Sequence, residues 1–398
     1  MKALVLDAEN RTANLQSVPK PHPSAHELLI RVVAVALNPI DSLYVFNPLA
    51  QTGRTIGSDF AGIVEVLGDA VPQPASGLKP GDRVAGFLQG ACSANDRPGA
   101  FAEFLVCPWD LVWKIGDDMR LQEAAAVNLC GLTAAQALFY RMGLEAPFPW
   151  LVKEPAIFAA TRPENEQYMQ ESSSGTPTVS FFIYGASTSV GLYAAQLVRR
   201  SAESSGRSVK LFGATSQKHF RMLQAEPYGY DELVDYHDVD WPNKVHGLTP
   251  AGNGVDYAYD CISEGWTVSR TATTLAPSGK MAIVRSREGG AWVEGENLPI
   301  EPSYGAVWEG LGEVVQYQGM DLPASPRARS FAVAFYEWLS SGGKTLEPNP
   351  VREMPGGLEN VVEDGFGLLG SGTMGDRGSS SEKAWMKPLS AEKMVYTL

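Results

Sequence analysis

The pattern of apolar and polar positions divides the chain into two regimes. Glu27 to Leu37 (ELLIRVVAVAL), Gly62 to Gly68 (GIVEVLG) and Arg83-Val84-Ala85-Gly86 are short apolar runs bounded by turn residues, which predicts strands. Lys79-Pro80-Gly81-Asp82 predicts a turn, because proline presets φ and glycine accepts the positive φ that follows. Together these segments predict a small barrel-like β domain. From about Leu121 the spacing becomes helical, through Glu123-Ala124-Ala125-Ala126 and Thr133-Ala134-Ala135-Gln136-Ala137-Leu138. Between about 180 and 290, apolar strands alternate with helical segments, the signature of a doubly wound parallel sheet. The fold class is therefore α/β with two domains, as expected of 398 residues, a length beyond which one hydrophobic core stops growing. Residues 160–178 are polar and 370–383 are rich in Gly and Ser, so both are expected to be mobile surface excursions.

Within the second regime, Val179 to Val198 carries an apolar run, a turn of small residues and then a helix. A strand feeding a helix through Gly185, Ala186, Ser187, Thr188, Ser189, Val190 and Gly191 lets backbone N–H groups approach a pyrophosphate at the positive end of the helix. Only Gly185 and Gly191 are glycines; Thr188 stands where the strict fingerprint has another. The next strand, Val209 to Thr215, ends in Ser216-Gln217-Lys218-His219 with Arg221 beyond, where an NAD site places a carboxylate for the ribose 2′-hydroxyl. A hydroxyl and cations suit a 2′-phosphate, so NADPH is the expected cofactor, with one of Lys218 and Arg221 on a solvated helix face. Glu232 to Tyr236 predicts a third strand with Tyr236 against the adenine. Gly254 to Ile262 predicts a fourth with Ile262 at its carboxyl end, and Lys280 to Val284 a fifth.

Composition narrows the field. Acidic residues outnumber basic ones by 45 to 32, a net charge of -13 that repels phosphate backbones and anionic headgroups, so neither nucleic acid nor membrane is an expected partner. Met1 to Asp7 carries too short an apolar run for a signal peptide and predicts a first strand, hence an expected cytoplasmic location. Cys92, Cys107, Cys130 and Cys261 form no CxxC pair and are expected to pack in the core, and His22, His26, His219, His237 and His246 are not spaced as metal ligands.

The order of motifs resembles the medium-chain dehydrogenase/reductase superfamily over nearly the whole chain. The matching segments are Ala36-Leu37-Asn38-Pro39-Ile40-Asp41, Gly57-Ser58-Asp59-Phe60-Ala61-Gly62, Lys79 to Val84, Gly99-Ala100-Phe101-Ala102-Glu103-Phe104 and the turn at Gly185. Tyr184 to Thr188, Asp235-Tyr236, Asp260-Cys261-Ile262 and Ser390-Ala391-Glu392-Lys393-Met394-Val395-Tyr396 look like the fungal trans-acting enoyl reductases that partner polyketide synthases. The resemblance implies a GroES-like β-barrel catalytic domain formed by residues 1–135 and 302–398, and a Rossmann cofactor domain formed by residues 136–301. Zinc alcohol dehydrogenases carry a His-Glu pair in the segment that here reads Gly57-Ser58-Asp59-Phe60; without that histidine, and without a cysteine in the Asn38 to Asp41 turn, zinc chemistry is not expected.

By the same resemblance, Asn38, Asp41 and Ser390 face the cofactor, Leu129, Cys130 and Gly131 face the substrate, and Thr133 is a hydrogen-bond donor or a helix cap. Related enoyl reductases often carry a lysine shortly after the Asn-Pro turn; here Ser42-Leu43-Tyr44 follows, making Tyr44 a candidate proton donor alongside solvent or the substrate carrier. Tyr304 to Tyr317 is expected to line or underlie an acyl pocket. The activity implied is NADPH-dependent reduction of an α,β-unsaturated acyl thioester by a monomeric enzyme, on a small-molecule or carrier-protein-bound substrate and in company with a polyketide synthase. The alternatives are a quinone or enone reductase acting on free small molecules, and a redox-inert cofactor-binding scaffold.

Overall fold

The computed structural model describes all residues except 74, 151–177, 290–291, 293–297, 342–345 and 381. Seven strands come first: β1 Lys2–Asp7, β2 Thr12–Ser17, β3 Glu27–Ala36, β4 Asp59–Leu67, β5 Arg83–Phe87, β6 Phe104–Pro108 and β7 Val112–Lys114. Five follow, β8 Thr178–Tyr184, β9 Ser208–Thr215, β10 Glu232–Asp235, β11 Val255–Asp260 and β12 Leu275–Ile283, and then β13 Val315–Tyr317, β14 Met320–Leu322, β15 Val351–Glu353 and β16 Lys393–Thr397. The fold is α/β, a GroES-like β domain joined to a Rossmann sheet.

The first sheet runs β15-β16-β3-β4-β5-β7, with β6 also paired to β3. Its centre is β3, whose near-continuous apolar sequence is buried on both faces apart from exposed Arg31 and half-buried Glu27 and Val33. The C-terminal strand β16 closes onto it antiparallel, Val395 opposite Ala36, so the last residues of the chain meet its first sheet. The second sheet is all parallel, in the order β10-β9-β8-β11-β12, and the chain reverses direction across it beside β8. In such sheets ligands bind at the carboxyl edge of the strands at that reversal.

Of the helices α1 Pro39–Phe46, α2 Leu121–Ala125, α3 Asn128–Ala135 and α4 Ser189–Ser205, α3 packs on β4 and β5 and against α4, and α4 packs on β8 and β9, which joins the sheets. Tyr193 of α4 is fully buried; its hydroxyl donates to the Ala126 carbonyl at 3.1 Å and accepts from the Asn349 N–H at 3.1 Å, tying the cofactor helix to segments flanking the β domain. Every strand of the parallel sheet falls within 136–301 and every strand of the other sheet outside it.

Two loop expectations meet different ends. Residues 160–177 lie outside the described residues. The described part of 370–383 is a surface excursion, none of it buried, tied down at three points: Asn47 Nδ2 donates to the Ser371 carbonyl at 3.0 Å, the Met374 N–H donates to Glu264 at 2.9 Å, and Lys383 pairs with Asp364 at 2.7 Å. Two of these contacts are made by the segment's backbone to partners more than 100 residues away, which no local pattern reveals. Among the described residues no helix is long and apolar enough to cross a membrane.

Candidate active site

A cavity of about 520 Å³ opens between the two sheets. One half of its wall comes from the β8–α4 turn. Gly185 sits at φ 74°, and a Cβ there would meet Ile262 at 2.9 Å, so the turn needs a residue with neither the β-carbon nor the usual φ restriction. A Cβ on Gly191 would lie 2.4 Å from the Gly185 carbonyl, so glycine is what lets α4 start directly against the turn. Thr188 caps that helix, its Oγ1 accepting from the Gly191 N–H at 3.1 Å. The residue that departs from the glycine fingerprint thus organises the helix start. Ser187 is held by Thr215, whose Oγ1 donates to the serine Oγ at 2.9 Å. Gly185, Ser187, Thr188, Ser189 and Val190 line the cavity, whereas Gly191 lies behind the wall.

At the end of β9, Ser216, Lys218 and His219 line the same cavity. Lys218 is exposed, and no carboxylate follows β9 before Glu226. His219 Nε2 lies 2.9 Å from Ser390 Oγ, joining the cofactor sheet to the C-terminal segment. Burial and the neighbouring Lys218 charge hold the His219 pKa below the ordinary histidine value, so the ring is neutral at pH 7. Tyr236 presents a ring 42% exposed, stacked on His237 with centroids 4.0 Å apart. Arg221 is exposed and does not contribute to the wall.

On the opposite side is a buried polar cluster, of which Asn38, Cys130 and Lys393 line the cavity. Asn38, Asp41, Ser58, Asp59, Cys130 and Lys393 are each no more than 5% exposed. Lys393 Nζ lies 2.6 Å from Asp59 Oδ2, 2.9 Å from Asn38 Oδ1 and 3.4 Å from Cys130 Sγ. Asp59 Oδ1 accepts from the Leu129 N–H at 2.9 Å, and Asn38 Nδ2 donates to Ser58 Oγ and Asp59 Oδ2, both at 3.0 Å. Burial alone would lower the Lys393 pKa, but the Asp59 carboxylate and Cys130 beside it hold it above the ordinary lysine value. Asp41 accepts from the Asn38 N–H and from Ser58 Oγ at 2.8 Å each, yet burial pushes its pKa up to about 7.

Of the residues expected on this side, Asn38, Leu129, Cys130, Thr133, Ile262 and Ser390 line the cavity. Thr133 is not a cap: it sits inside α3 and its hydroxyl donates to the Leu129 carbonyl at 2.7 Å, leaving its lone pairs rather than its proton for a ligand. The structure does not bring Tyr44, Asp41 or Gly131 to the wall. Tyr44 is 4% exposed, its hydroxyl donates to the Gln316 carbonyl at 3.4 Å, and burial raises its pKa. Gly131 packs against Val127 and Phe335. From the 304–317 segment Tyr304, Trp308 and Tyr317 line the cavity.

Residues 24–117 match the alcohol dehydrogenase GroES-like domain. The chain is 31% identical over 279 residues to a trans-enoyl reductase of Alternaria alternata, the match covering 70% of each chain. The chain belongs to the trans-enoyl reductase family of the medium-chain dehydrogenase/reductase superfamily. A second member of this family, the trans-enoyl reductase ccsC of Aspergillus clavatus, is 27% identical over 386 residues, 96% of this chain and 92% of its own. Among solved structures, an alcohol dehydrogenase superfamily protein from Novosphingobium aromaticivorans superposes with a TM-score of 0.69 at 16% identity, over 100% and 99% of the two chains. The CurK enoyl reductase superposes at 0.64 and 18% identity, over 100% and 98%. At these identities the structural likeness concerns the fold alone.

Lys393, Asp59, Ser58 and Thr215 were given no role by sequence reasoning. The available signal was charge out of place: Asp59 precedes an apolar run, and Lys393 opens a strand whose first four residues are all buried.

Proposed function

We propose that this oxidoreductase is a zinc-independent, NADPH-dependent enoyl reductase that acts in trans on an α,β-unsaturated acyl thioester carried by a polyketide synthase. Bound NADPH supplies the hydride. The observation that carries the reading is one cavity walled on one side by a helix N-terminus with Ser216, Lys218 and His219, and on the other by Asn38, Cys130 and Thr133.

The cradle suits a dinucleotide phosphate. Gly191 lets the turn and α4 approach closely, the α4 N-terminus offers positive dipole, and Lys218 offers a cation where a carboxylate would repel a 2′-phosphate. We assign Gly185, Ser187, Thr188, Ser189, Val190, Ser216, Lys218, His219, Tyr236, Ile262, Asn38 and Ser390 to cofactor binding, with Gly191 and Asp41 acting from behind the wall. Leu129, Cys130 and Thr133 border the substrate. Zinc independence rests on the donor set: the oxygen and sulfur atoms nearest the cavity floor already surround the Lys393 ammonium, and a dication placed there would meet its like charge. The domain division at 135/136 and 301/302 belongs to the same proposal.

The test follows loss of NADPH absorbance with an α,β-unsaturated acyl thioester, beside a free quinone, and NADP⁺ reduction with a simple alcohol. Turnover of the thioester is the expected result. Activity on quinone alone assigns the enzyme to free small molecules and overturns the reading; tight NADPH binding without turnover of any of them supports a scaffold.

A further inference from the structure

An ammonium has three N–H donors and no acceptor. At Lys393 two of them meet strong acceptors, the Asp59 carboxylate at 2.6 Å and the Asn38 amide oxygen at 2.9 Å. The third meets only the Cys130 thiol sulfur at 3.4 Å, a weak acceptor. Lys393 and Cys130 both line the cavity, and Lys393 is 3% exposed, so this cation is nearly free of competing water. A donor in a dry site that is only half satisfied is prepared to receive a stronger acceptor than the one it has.

We propose that Lys393 is a catalytic residue of this enzyme: its third N–H, released from the Cys130 sulfur, donates to the carbonyl oxygen of the substrate thioester and stabilises the oxyanion of the enolate. The inference rests on the enoyl reductase reading above. When hydride bonds to the β-carbon, the C=C π pair moves towards the carbonyl and the oxygen takes up the negative charge. Lys393 keeps its proton throughout, as a hydrogen-bond donor. Solvent water then protonates the α-carbon and the charge on oxygen is lost. The Asp59 and Asn38 contacts aim the ammonium and leave one direction for the substrate. The same geometry gives the C-terminal strand a chemical role, since Lys393 is its first residue.

Lys393→Met alone would strand the buried Asp59 charge, so the informative variant is Asp59→Asn with Lys393→Met, which removes both charges of the pair. Two quantities are measured on the full chain: the rate of thioester reduction, and the carbonyl stretch of a carbon-13-labelled enoyl thioester bound beside NADP⁺, where no turnover occurs. In the wild type the stretch is expected to fall on binding. In the double variant that shift is lost and the rate at saturating NADPH falls by about 100-fold or more, as for loss of an oxyanion donor. Cys130→Ser supplies a second arm that leaves the ion pair intact: a hydroxyl is the better acceptor for the third N–H, so the shift shrinks and the rate falls about tenfold. A full carbonyl shift in either variant, or an unchanged rate in Cys130→Ser, overturns the assignment of Lys393 while leaving the enoyl reductase reading in place. Failure of the wild type to bind or reduce the thioester overturns that reading and this inference with it.

Discussion

Gly191→Ala tests whether the β8–α4 turn holds the cofactor. The added Cβ would lie 2.4 Å from the Gly185 carbonyl oxygen and 3.0 Å from that of Ala186. Both atoms are backbone, so no side chain can swing aside. To restore ordinary van der Waals contact the turn and the first residues of α4 must separate by about 1 Å, an overpacking that costs about 1–3 kcal/mol of stability. That same displacement moves the N–H groups at Ser187 to Val190 away from a bound pyrophosphate, where a hydrogen bond to a charged group contributes about 1.5–3 kcal/mol. At about 1.4 kcal/mol per factor of ten, NADPH affinity should fall about 10- to 100-fold. Fluorescence titration of NADPH and urea unfolding check the two effects separately. Gly247 is the control: it is exposed, lies in the helix Trp241–Leu248, and nothing stands within 4 Å of an added Cβ. Gly247→Ala should leave NADPH binding unchanged and gain up to about 1 kcal/mol of helix stability. Wild-type NADPH affinity in Gly191→Ala would refute the argument, because the cofactor would then not depend on the close approach that the glycine provides.

Other perturbations probe the remaining walls. Thr188→Val removes the oxygen that caps α4 and should lower the unfolding free energy by about 1 kcal/mol, read from the urea midpoint. Lys218→Ala should weaken NADPH about tenfold while leaving NADH unchanged, and the difference should shrink with added salt because Lys218 is exposed. Asp41, with its pKa raised to about 7 from the ordinary 3.8, is protonated in the folded state where the unfolded chain would ionise it. The unfolded state therefore binds fewer protons, and stability should fall with rising pH between about 4 and 7, by up to about 1.4 kcal/mol per unit. Asp41→Asn should flatten that slope in urea midpoints compared across pH. Arg352, 6% exposed, donates to the carbonyls of Trp385, Lys387 and Pro388 and pairs with Glu392. Arg352→Met should cost about 3–5 kcal/mol and raise the KM for NADPH, by releasing the segment that carries Ser390.

Much of the fold was legible because it rests on local periodicity. The continuous apolar runs of β3 and β8 and the alternation of strand and helix after residue 180 are short-range signals, and they predict a doubly wound parallel sheet. The turn between β8 and α4 was legible for the same reason, since the turn and its two glycines fall within seven residues, Gly185 to Gly191. Tyr44 was proposed from the place where related enoyl reductases carry a lysine, and it does not reach the wall. Pro39, Leu43 and Ile40 span about 100° of α1 and face the cavity, and Tyr44 lies about 40° beyond Ile40, where its hydroxyl turns to the Gln316 carbonyl instead.

What escaped was charge whose partners are remote. Lys393 meets Asn38, Asp59 and Cys130 across 355, 334 and 263 residues of chain. Taken locally, a lysine opening a terminal strand is a solvated edge, and an aspartate before an apolar run is a strand cap. Each reading is the cheaper one for its own segment, since an unpaired buried charge is costly. Only the fold, by bringing β16 back against β3 and α3 against β4, puts opposite charges in one dry place and reverses that cost. Gly370 to Lys383 follows the same rule, a loop by composition but held by Asn47, Glu264 and Asp364. Local pattern therefore carries the scaffold and the turn before α4, whereas the buried polar cluster around Lys393 is set by contacts that close the chain upon itself. The buried ion pair between β4 and β16 is thus a consequence of the C-terminal strand joining the first sheet.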